Sequence, residues 1–318
     1  MALTLDAIRR ARVAIAPHVL RTPLLSSRLL GERSGGAAVH LKAESLQRAG
    51  SFKARGAINA LLTLSPEVRA RGVVTMSAGN AAQAVAWAGQ RLGAPVTVVM
   101  PETAPKVSVD ATGAYGGKIR FARDITELMP VVLELVASGL HFIHPFDDDT
   151  FNAGSGTLAL EVLEDLPATD VIVVGIGGGG LVSGIATAAC AQRPGIRIIG
   201  VEPEGAAGMT LALAAGHPVP LAVVRTIASG LGAPYAGERT LPVVKALVEE
   251  VIVLGDRDIA QGTRFLAERA RLVVEPAGAA AVGALLAGRV SVRRGETVVA
   301  ILSGGNLDLA RLAEILAL

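Results

Sequence analysis

A single cysteine, Cys190, stands in a chain of 318 residues. That excludes an intrachain disulfide framework and a thiolate-rich metal site, and it fits a reducing, cytoplasmic setting. The residue lies in an alanine-rich apolar run, where a buried, inert thiol is expected. Aromatic residues are scarce, at 3%, which argues against the stacking platforms that bind single-stranded nucleic acid. Charge is scarce too: charged residues make up 18% and the formal net charge is +2, so no broad field of one sign invites nucleic acid. Residues 1–12 lack the continuous apolar stretch and cleavage site of a secretion signal. Residues 171–191 carry no charge and are long enough to cross a bilayer. Their centre, however, is Gly175-Ile176-Gly177-Gly178-Gly179-Gly180, and consecutive glycines are costly inside a helix. The segment reads as strand, turn and helix, with no membrane span. A small molecule is the expected partner, and the length allows one large or two ordinary domains with ample core.

Lysine is also scarce: only Lys42, Lys53, Lys106, Lys118 and Lys245 occur among the 30 basic residues. Lys53 sits in the frame Gly50-Ser51-Phe52-Lys53-Ala54-Arg55-Gly56-Ala57. The spacing of Phe52, Ile58, Leu61 and Leu62 predicts a helix over 52–64, with Ser51 as its N-cap candidate, so Lys53 falls in the first turn. An ammonium there opposes the positive end of the helix dipole. Apolar surroundings would add desolvation, so the amine is expected to be a nucleophile near neutral pH.

Around this frame the chain alternates. Helix 5–16, an extended entry at Thr22-Pro23-Leu24-Leu25 and a strand at 38–42 precede it. Strands at 72–76, 96–100, 118–122 and 140–145 then alternate with helices at 81–92, 105–115 and 125–138. After a helix at 152–166 the rhythm resumes with strand 171–174, helix 181–191 and strand 196–201, and strand 297–302 is the last. Such alternation predicts an α/β fold of parallel sheets. The two blocks, 72–147 and 148–318, imply two sheets with a site between them.

Glycine and polar residues cluster just beyond three strand ends: Ser77-Ala78-Gly79-Asn80, Gly177 to Gly180, and Ser303-Gly304-Gly305-Asn306. Open α/β sheets bind ligands there. Gly177, Gly178, Gly179 and Gly180 lead into a helix, so their amides can point at one anion, with phosphate the natural guest. Gly175, Gly177 and Gly180 also satisfy G-x-G-x-x-G, and Glu202 ends the next strand at the spacing of a ribose-binding acid. A dinucleotide enzyme is therefore a rival reading of this loop. The Ser77 loop opens a helix and suits a substrate carboxylate, or else plain capping. Ser303 offers a hydroxyl on a strand end, or else marks a turn. An activated lysine, a phosphate cradle, a carboxylate cradle and a hydroxyl for a ring nitrogen together match pyridoxal 5'-phosphate held as a lysine Schiff base.

With Arg21-Thr22-Pro23-Leu24, Pro145-Phe146-Asp147-Asp148 and Val274-Glu275-Pro276-Ala277-Gly278-Ala279 in the same order, these motifs resemble the serine/threonine dehydratases and serine racemases, fold type II pyridoxal-phosphate enzymes. The resemblance spans nearly the whole chain. It implies two open, twisted parallel-sheet domains with flanking helices: a large cofactor-binding domain of 1–71 and 148–318, and a small domain of 72–147 carrying the substrate carboxylate loop. It implies that Lys53 carries the cofactor and then moves the Cα proton, that Phe52 stacks beside the ring, and that Asn80 bonds the ring hydroxyl. The amides of Gly177 to Gly180 would hold the phosphate, Ser303 would face the pyridine nitrogen, and Ser77 with the backbone of Ala78, Gly79, Asn80 and Ala81 would take the substrate carboxylate.

The implied activity is a dehydratase, an ammonia-lyase acting on L-threonine, L-serine or a related 3-hydroxy amino acid. A racemase, a 3-hydroxyaspartate-type dehydratase and a catalytically silent amino-acid or cofactor sensor are the alternatives. The sequence departs from the family at three places. Ala81 replaces the usual histidine, which leaves side-chain specificity at the carboxylate loop open. Ala78 replaces the racemases' serine, which favours elimination. Of the family's cation site only Glu202 remains, which argues against a divalent cation. No histidine pair has ligand spacing, so His18, His40, His141, His144 and His217 are expected to be structural. With the chain ending soon after Asn306, the regulatory domain of biosynthetic threonine enzymes is expected to be absent. A homodimer or higher homo-oligomer is implied.

Overall fold

The computed structural model describes residues 3–318. A six-stranded sheet has the order β1-β2-β10-β7-β8-β9 and a four-stranded sheet the order β5-β4-β3-β6. In chain order the strands are β1 (Leu24–Ser26), β2 (Ala38–Lys42), β3 (Val73–Met76), β4 (Val96–Pro101), β5 (Lys118–Ala122), β6 (His141–Phe142), β7 (Val171–Gly175), β8 (Arg197–Pro203), β9 (Glu250–Leu254) and β10 (Thr297–Ile301). All pairings are parallel except β1 with β2, where Leu24 faces Lys42. The α/β expectation holds, with an antiparallel strand added at one edge.

The pleat explains the layers, because successive side chains on a strand point to opposite faces. Ile172, Val174, Ile198, Val299 and Ile301 pack on one side against the helices Leu5–Ile15, Asp149–Asp165 and Gly180–Gln192. Their neighbours Val171, Val173, Ile199, Val298 and Ala300 pack on the other, against Asp256–Phe265 and Pro276–Leu286. In the smaller sheet Val73 and Val98 meet the helix Asn80–Leu92, whereas Val74 and Val99 lie with Val132. The helix Lys53–Thr63 belongs to the same core as the smaller sheet: Ala54, Ala57, Ile58 and Leu61 join Ala82, Val85 and Phe151 there.

Several expectations need correction. Ser51 does not cap the Lys53 helix through its side chain: its buried Oγ has no hydrogen-bond partner among the described residues, its backbone bridges Gly304, and Phe52 occupies the cap position without any side-chain capping bond. The strand expected at 140–145 pairs only over His141–Phe142, because the following residues turn into the site. Strand β9 and the helices Gly208–Ala215, Thr240–Leu247, Asp256–Phe265 and Pro276–Leu286 fill a region left unassigned by pattern. Gly208–Ala215 and Pro276–Leu286 are rich in glycine and alanine and show no clear apolar stripe, whereas Asp256–Phe265 is amphipathic, with Ile259, Ala260 and Phe265 on its buried face. Cys190 is half-buried, its Sγ 3.8 Å from the Leu247 carbonyl, and burial raises its thiol above the ordinary value. Among the described residues no helix is long and apolar enough to cross a membrane.

Candidate active site

Strand ends from both sheets meet at the first turn of the Lys53 helix. Phe52 N donates to the Ser303 carbonyl at 3.0 Å, Gly305 N to Gly50 O at 2.9 Å, and Ser51 bridges Gly304, so the loop after β10 is stitched to the Lys53 frame. From the smaller sheet, the loop after β3 reaches across. Asn80 Nδ2 donates to Glu275 Oε1 at 2.5 Å, and Asn80 Oδ1 accepts from Asn306 Nδ2 at 2.8 Å. The structure thus brings Phe52, Lys53, Asn80 and Ser303 together. Glu275 and Asn306 belong with them, although sequence reasoning assigned them no role beyond their motifs.

The Lys53 Nζ donates to the Pro145 carbonyl at 2.5 Å and lies 5.1 Å and 5.3 Å from the ring centroids of Phe52 and Phe151. Burial lowers its amine to about 8. The residue keeps some accessible surface, while its nitrogen lies beside the two rings. Desolvation of the charged form is the cause, as the frame suggested. The titratable neighbour is His144, expected to be structural: burial holds it at about 4, so it is neutral. Its Nδ1 accepts from Asp147 N at 2.9 Å.

The tetrad following that histidine has a task at each position. Pro145 receives the lysine, and Phe146 lies against Gly178, where an added Cβ would run into its ring. Asp147 accepts from the amides of Glu238 and Arg239 at 3.1 Å and 2.9 Å, and Asp148 caps the helix Asp149–Asp165 through Thr150 N and Phe151 N. Beneath, Gly178 O accepts from Thr240 Oγ1 at 2.6 Å and from Gly237 N at 3.1 Å. Gly179 takes φ +95°, a conformation that glycine adopts without strain. The amides of Gly177, Gly178, Gly179 and Gly180 have no acceptor among the described residues, and the last opens the helix Gly180–Gln192.

This donor set fits pyridoxal phosphate: an enclosed amine of lowered affinity for protons, four unpaired amides at a helix N-terminus for a phosphate, and an amide and a hydroxyl for ring heteroatoms. In the loop after β3, Ser77 Oγ accepts from Gly79 N at 3.1 Å, which leaves its own proton free to donate. Ala78 and Gly79 form the turn, and Ala81 lies buried in the helix Asn80–Leu92. Glu202 lies elsewhere. Its carboxylate accepts from Met209 N, Thr210 N and Thr210 Oγ1 at 2.7, 2.9 and 2.8 Å, and Ala206 and Gly208 supply no further side-chain ligand. A divalent cation does not fit that arrangement, and no other acidic or histidine cluster suited to a metal occurs among the described residues.

Comparison with known proteins agrees with this geometry. The catabolic L-threonine dehydratase of Staphylococcus aureus is 39% identical over 318 residues, covering 99% of this chain and 92% of that protein. The structure of maize serine racemase superposes with a TM-score of 0.94 at 39% identity, covering 99% of this chain and 97% of that one. The processed form of threonine deaminase isoform 2 from Solanum lycopersicum superposes with a TM-score of 0.90 at 35% identity, covering 99% of this chain and 94% of that one. A family model described as pyridoxal-phosphate dependent enzyme matches residues 15–304. With its lysine, glycine loop and cross-sheet asparagine in the geometry above, the chain belongs to the pyridoxal-phosphate dependent enzyme family.

Proposed function

We propose that the protein is a pyridoxal-phosphate-dependent ammonia-lyase converting L-threonine, L-serine or a related 3-hydroxy amino acid to a 2-oxo acid and ammonia. The observation that carries this reading is the enclosed Lys53 amine, held against the Pro145 carbonyl beside the Phe52 and Phe151 rings and lowered to about 8. Pyridoxal phosphate, when bound, supplies the electron sink that makes the substrate Cα–H bond acidic. Gly177 to Gly180 would hold its phosphate through their amides, Phe52 would flank its ring, and Asn80 would meet its hydroxyl. Ser77 would donate its hydroxyl proton to the substrate carboxylate, with the Ala78, Gly79, Asn80 and Ala81 backbone completing the cradle.

Lys53 Nζ, neutral in a substantial fraction near pH 8, would accept the Cα proton. The β-carbon–oxygen bond then breaks, and the hydroxyl departs with a proton as water. The released unsaturated amine takes up one water and yields the 2-oxo acid and ammonia, so atoms balance. Ser303 would offer the ring nitrogen a neutral hydroxyl, which stabilises carbanionic charge less than a carboxylate and so favours loss of the β-hydroxyl. Inversion at Cα needs a proton donor on the second face, and Ala78 has none. Division of the chain into 1–71 with 148–318 and 72–147, a homodimeric state and a cytoplasmic setting complete the reading. The four-stranded sheet drawn wholly from residues 73–142 supports the division, and the lone cysteine supports the setting.

The purified protein is expected to absorb in the visible and to lose that band on borohydride reduction, with the label on Lys53. L-Serine, L-threonine and 3-hydroxyaspartate, each followed for 2-oxo acid, then identify the substrate. A colourless protein that takes up no pyridoxal phosphate overturns the proposal.

A further inference from the structure

Behind the Lys53 helix lies a closed set of four charged side chains. Lys42, Glu44 and Arg55 are fully buried and Glu161 is 5% exposed. Arg55 Nε and Nη2 engage the two Glu44 oxygens at 2.8 Å each, while Nη1 and Nη2 reach the Glu161 oxygens at 2.7 and 2.9 Å. Lys42 Nζ binds Glu161 Oε2 at 2.6 Å and Thr22 O at 2.8 Å, and Thr22 Oγ1 donates to Glu44 at 2.5 Å. Burial alone pushes the Glu44 carboxyl up, but Arg55, Thr22 and Lys42 outweigh it and hold it below its ordinary value. Two cations thus meet two anions with no water needed. The set ties together the end of β2, the turn after it, the entry segment before β1, and the helices Lys53–Thr63 and Asp149–Asp165.

A buried ion pair of this kind adds little net stability over well-packed apolar residues, because desolvation offsets attraction. It imposes geometry instead. Arg55 is two residues beyond Lys53, so its side chain leaves the helix on roughly the opposite side. The turn that carries both residues has no side-chain cap and no acidic residue. Glu161 and Phe151 lie on one helix, which approaches so closely that an added Cβ on Gly154 would strike the Arg55 carbonyl and one on Gly56 would strike the Phe151 ring. Fixing Arg55 against Glu161 therefore fixes where Phe151 stands beside Lys53. We propose that Arg55, through Glu44 and Glu161, is a positioning residue for Lys53: its planar fork sets the register of the two helices and thereby keeps the Lys53 amine against the Phe52 and Phe151 rings. The inference rests on Lys53 being the reactive lysine of the proposed function.

The test compares the wild type with Arg55→Lys, which keeps the charge but loses the fork, and with the charge-balanced pair Arg55→Met and Glu44→Gln. In cofactor-free protein, the rate at which pyridoxal phosphate is trapped on Lys53 by cyanoborohydride is followed against pH, beside kcat and KM of the loaded enzyme and the melting temperature. His144, the titratable group facing the amine, is neutral across this range and does not distort the profile. The midpoint is expected near pH 8 in the wild type and at least one unit higher in both variants. Trapping near neutral pH slows about tenfold per unit, and kcat falls with KM little changed. An unshifted midpoint overturns the inference, including the case where kcat falls only in step with melting temperature. Wild-type protein that is not labelled at Lys53 overturns the proposed function instead. Should neither variant fold, Glu161→Gln, which keeps the side-chain shape, decides by the same midpoint.

Discussion

Asn80 and Glu275, 195 residues apart in the chain, meet side chain to side chain at 2.5 Å across the gap between the two sheets. Asn306 holds the other end of the Asn80 amide at 2.8 Å. The residue proposed to meet the ring hydroxyl is therefore aimed by partners from the larger sheet. Burial raises the Glu275 carboxyl to about 7, with the Asn80 hydrogen bond opposing the rise. A carboxyl raised in the folded state contributes stability below its unfolded value, near 4.5, that is lost as pH climbs through 7. Cofactor-free protein is expected to lose on the order of 3 kcal/mol between those limits. Glu275→Gln should flatten that part of the curve in urea unfolding at several pH values; a curve as steep as the wild type's contradicts the assignment.

Lys53 has the opposite sign. Its folded value of about 8 lies below the ordinary 10.5, so stability is gained as pH rises from 8 towards 10.5 and lost as pH falls. Lys53→Met should abolish turnover and the borohydride-sensitive band. The same variant, cofactor-free at pH 7, should be more stable than the wild type by about 2–3 kcal/mol. Equal or lower stability at pH 7 would show the amine is not strained by desolvation.

At the glycine loop, Gly178→Ala places a methyl into the Phe146 ring. Overpacking of this kind costs about 1–3 kcal/mol, and here it falls on the loop proposed to hold the cofactor phosphate. Cofactor affinity should drop about tenfold to a hundredfold, measured by equilibrium dialysis, and Phe146→Leu in the same chain should restore part of it.

Ala78→Ser adds a hydroxyl to the loop opposite the proposed face of Lys53. The ratio of racemisation to elimination should rise, followed by chiral chromatography of recovered serine alongside 2-oxo acid. An unchanged ratio would mean that Ala78 does not select the outcome.

Glu202 is occupied by three donors from the start of the helix Gly208–Ala215. Removal of divalent cations by a chelator is expected to leave the melting temperature and kcat unchanged, whereas Glu202→Ala should cost about 1–2 kcal/mol, because it uncovers buried amides. A chelator-induced fall in melting temperature would reinstate a cation site.

Much of the site was legible because its signals are local. A lysine one residue beyond a Gly-Ser-Phe run, glycines after a buried strand, and Ser-Ala-Gly-Asn before a helix each follow from turn chemistry and from the period of a few neighbours. Ser51 misled for the same reason. Its local pattern suits a cap, yet the residue is committed to a bridge with Gly304 and its buried Oγ reaches no amide of the helix. Within 202–296 the helices Gly208–Ala215 and Pro276–Leu286 were illegible because small residues surround them on every side, while Asp256–Phe265 carries a readable apolar face in Ile259, Ala260 and Phe265. Arg55, Glu44 and Glu161 carried no signal as a group, since the elements that join them are far apart in sequence.

The chain alone determined its α/β class, the parallel pairing and the three loops at strand ends, all consequences of near-neighbour sterics and periodic burial. Only the tertiary structure decided which groups ionise. Whether Lys53 sits near 8, Glu275 near 7 and His144 near 4 depends on how much water the surrounding elements exclude and which partner they present. Those are properties of packing across hundreds of residues, and no stretch of sequence contains them.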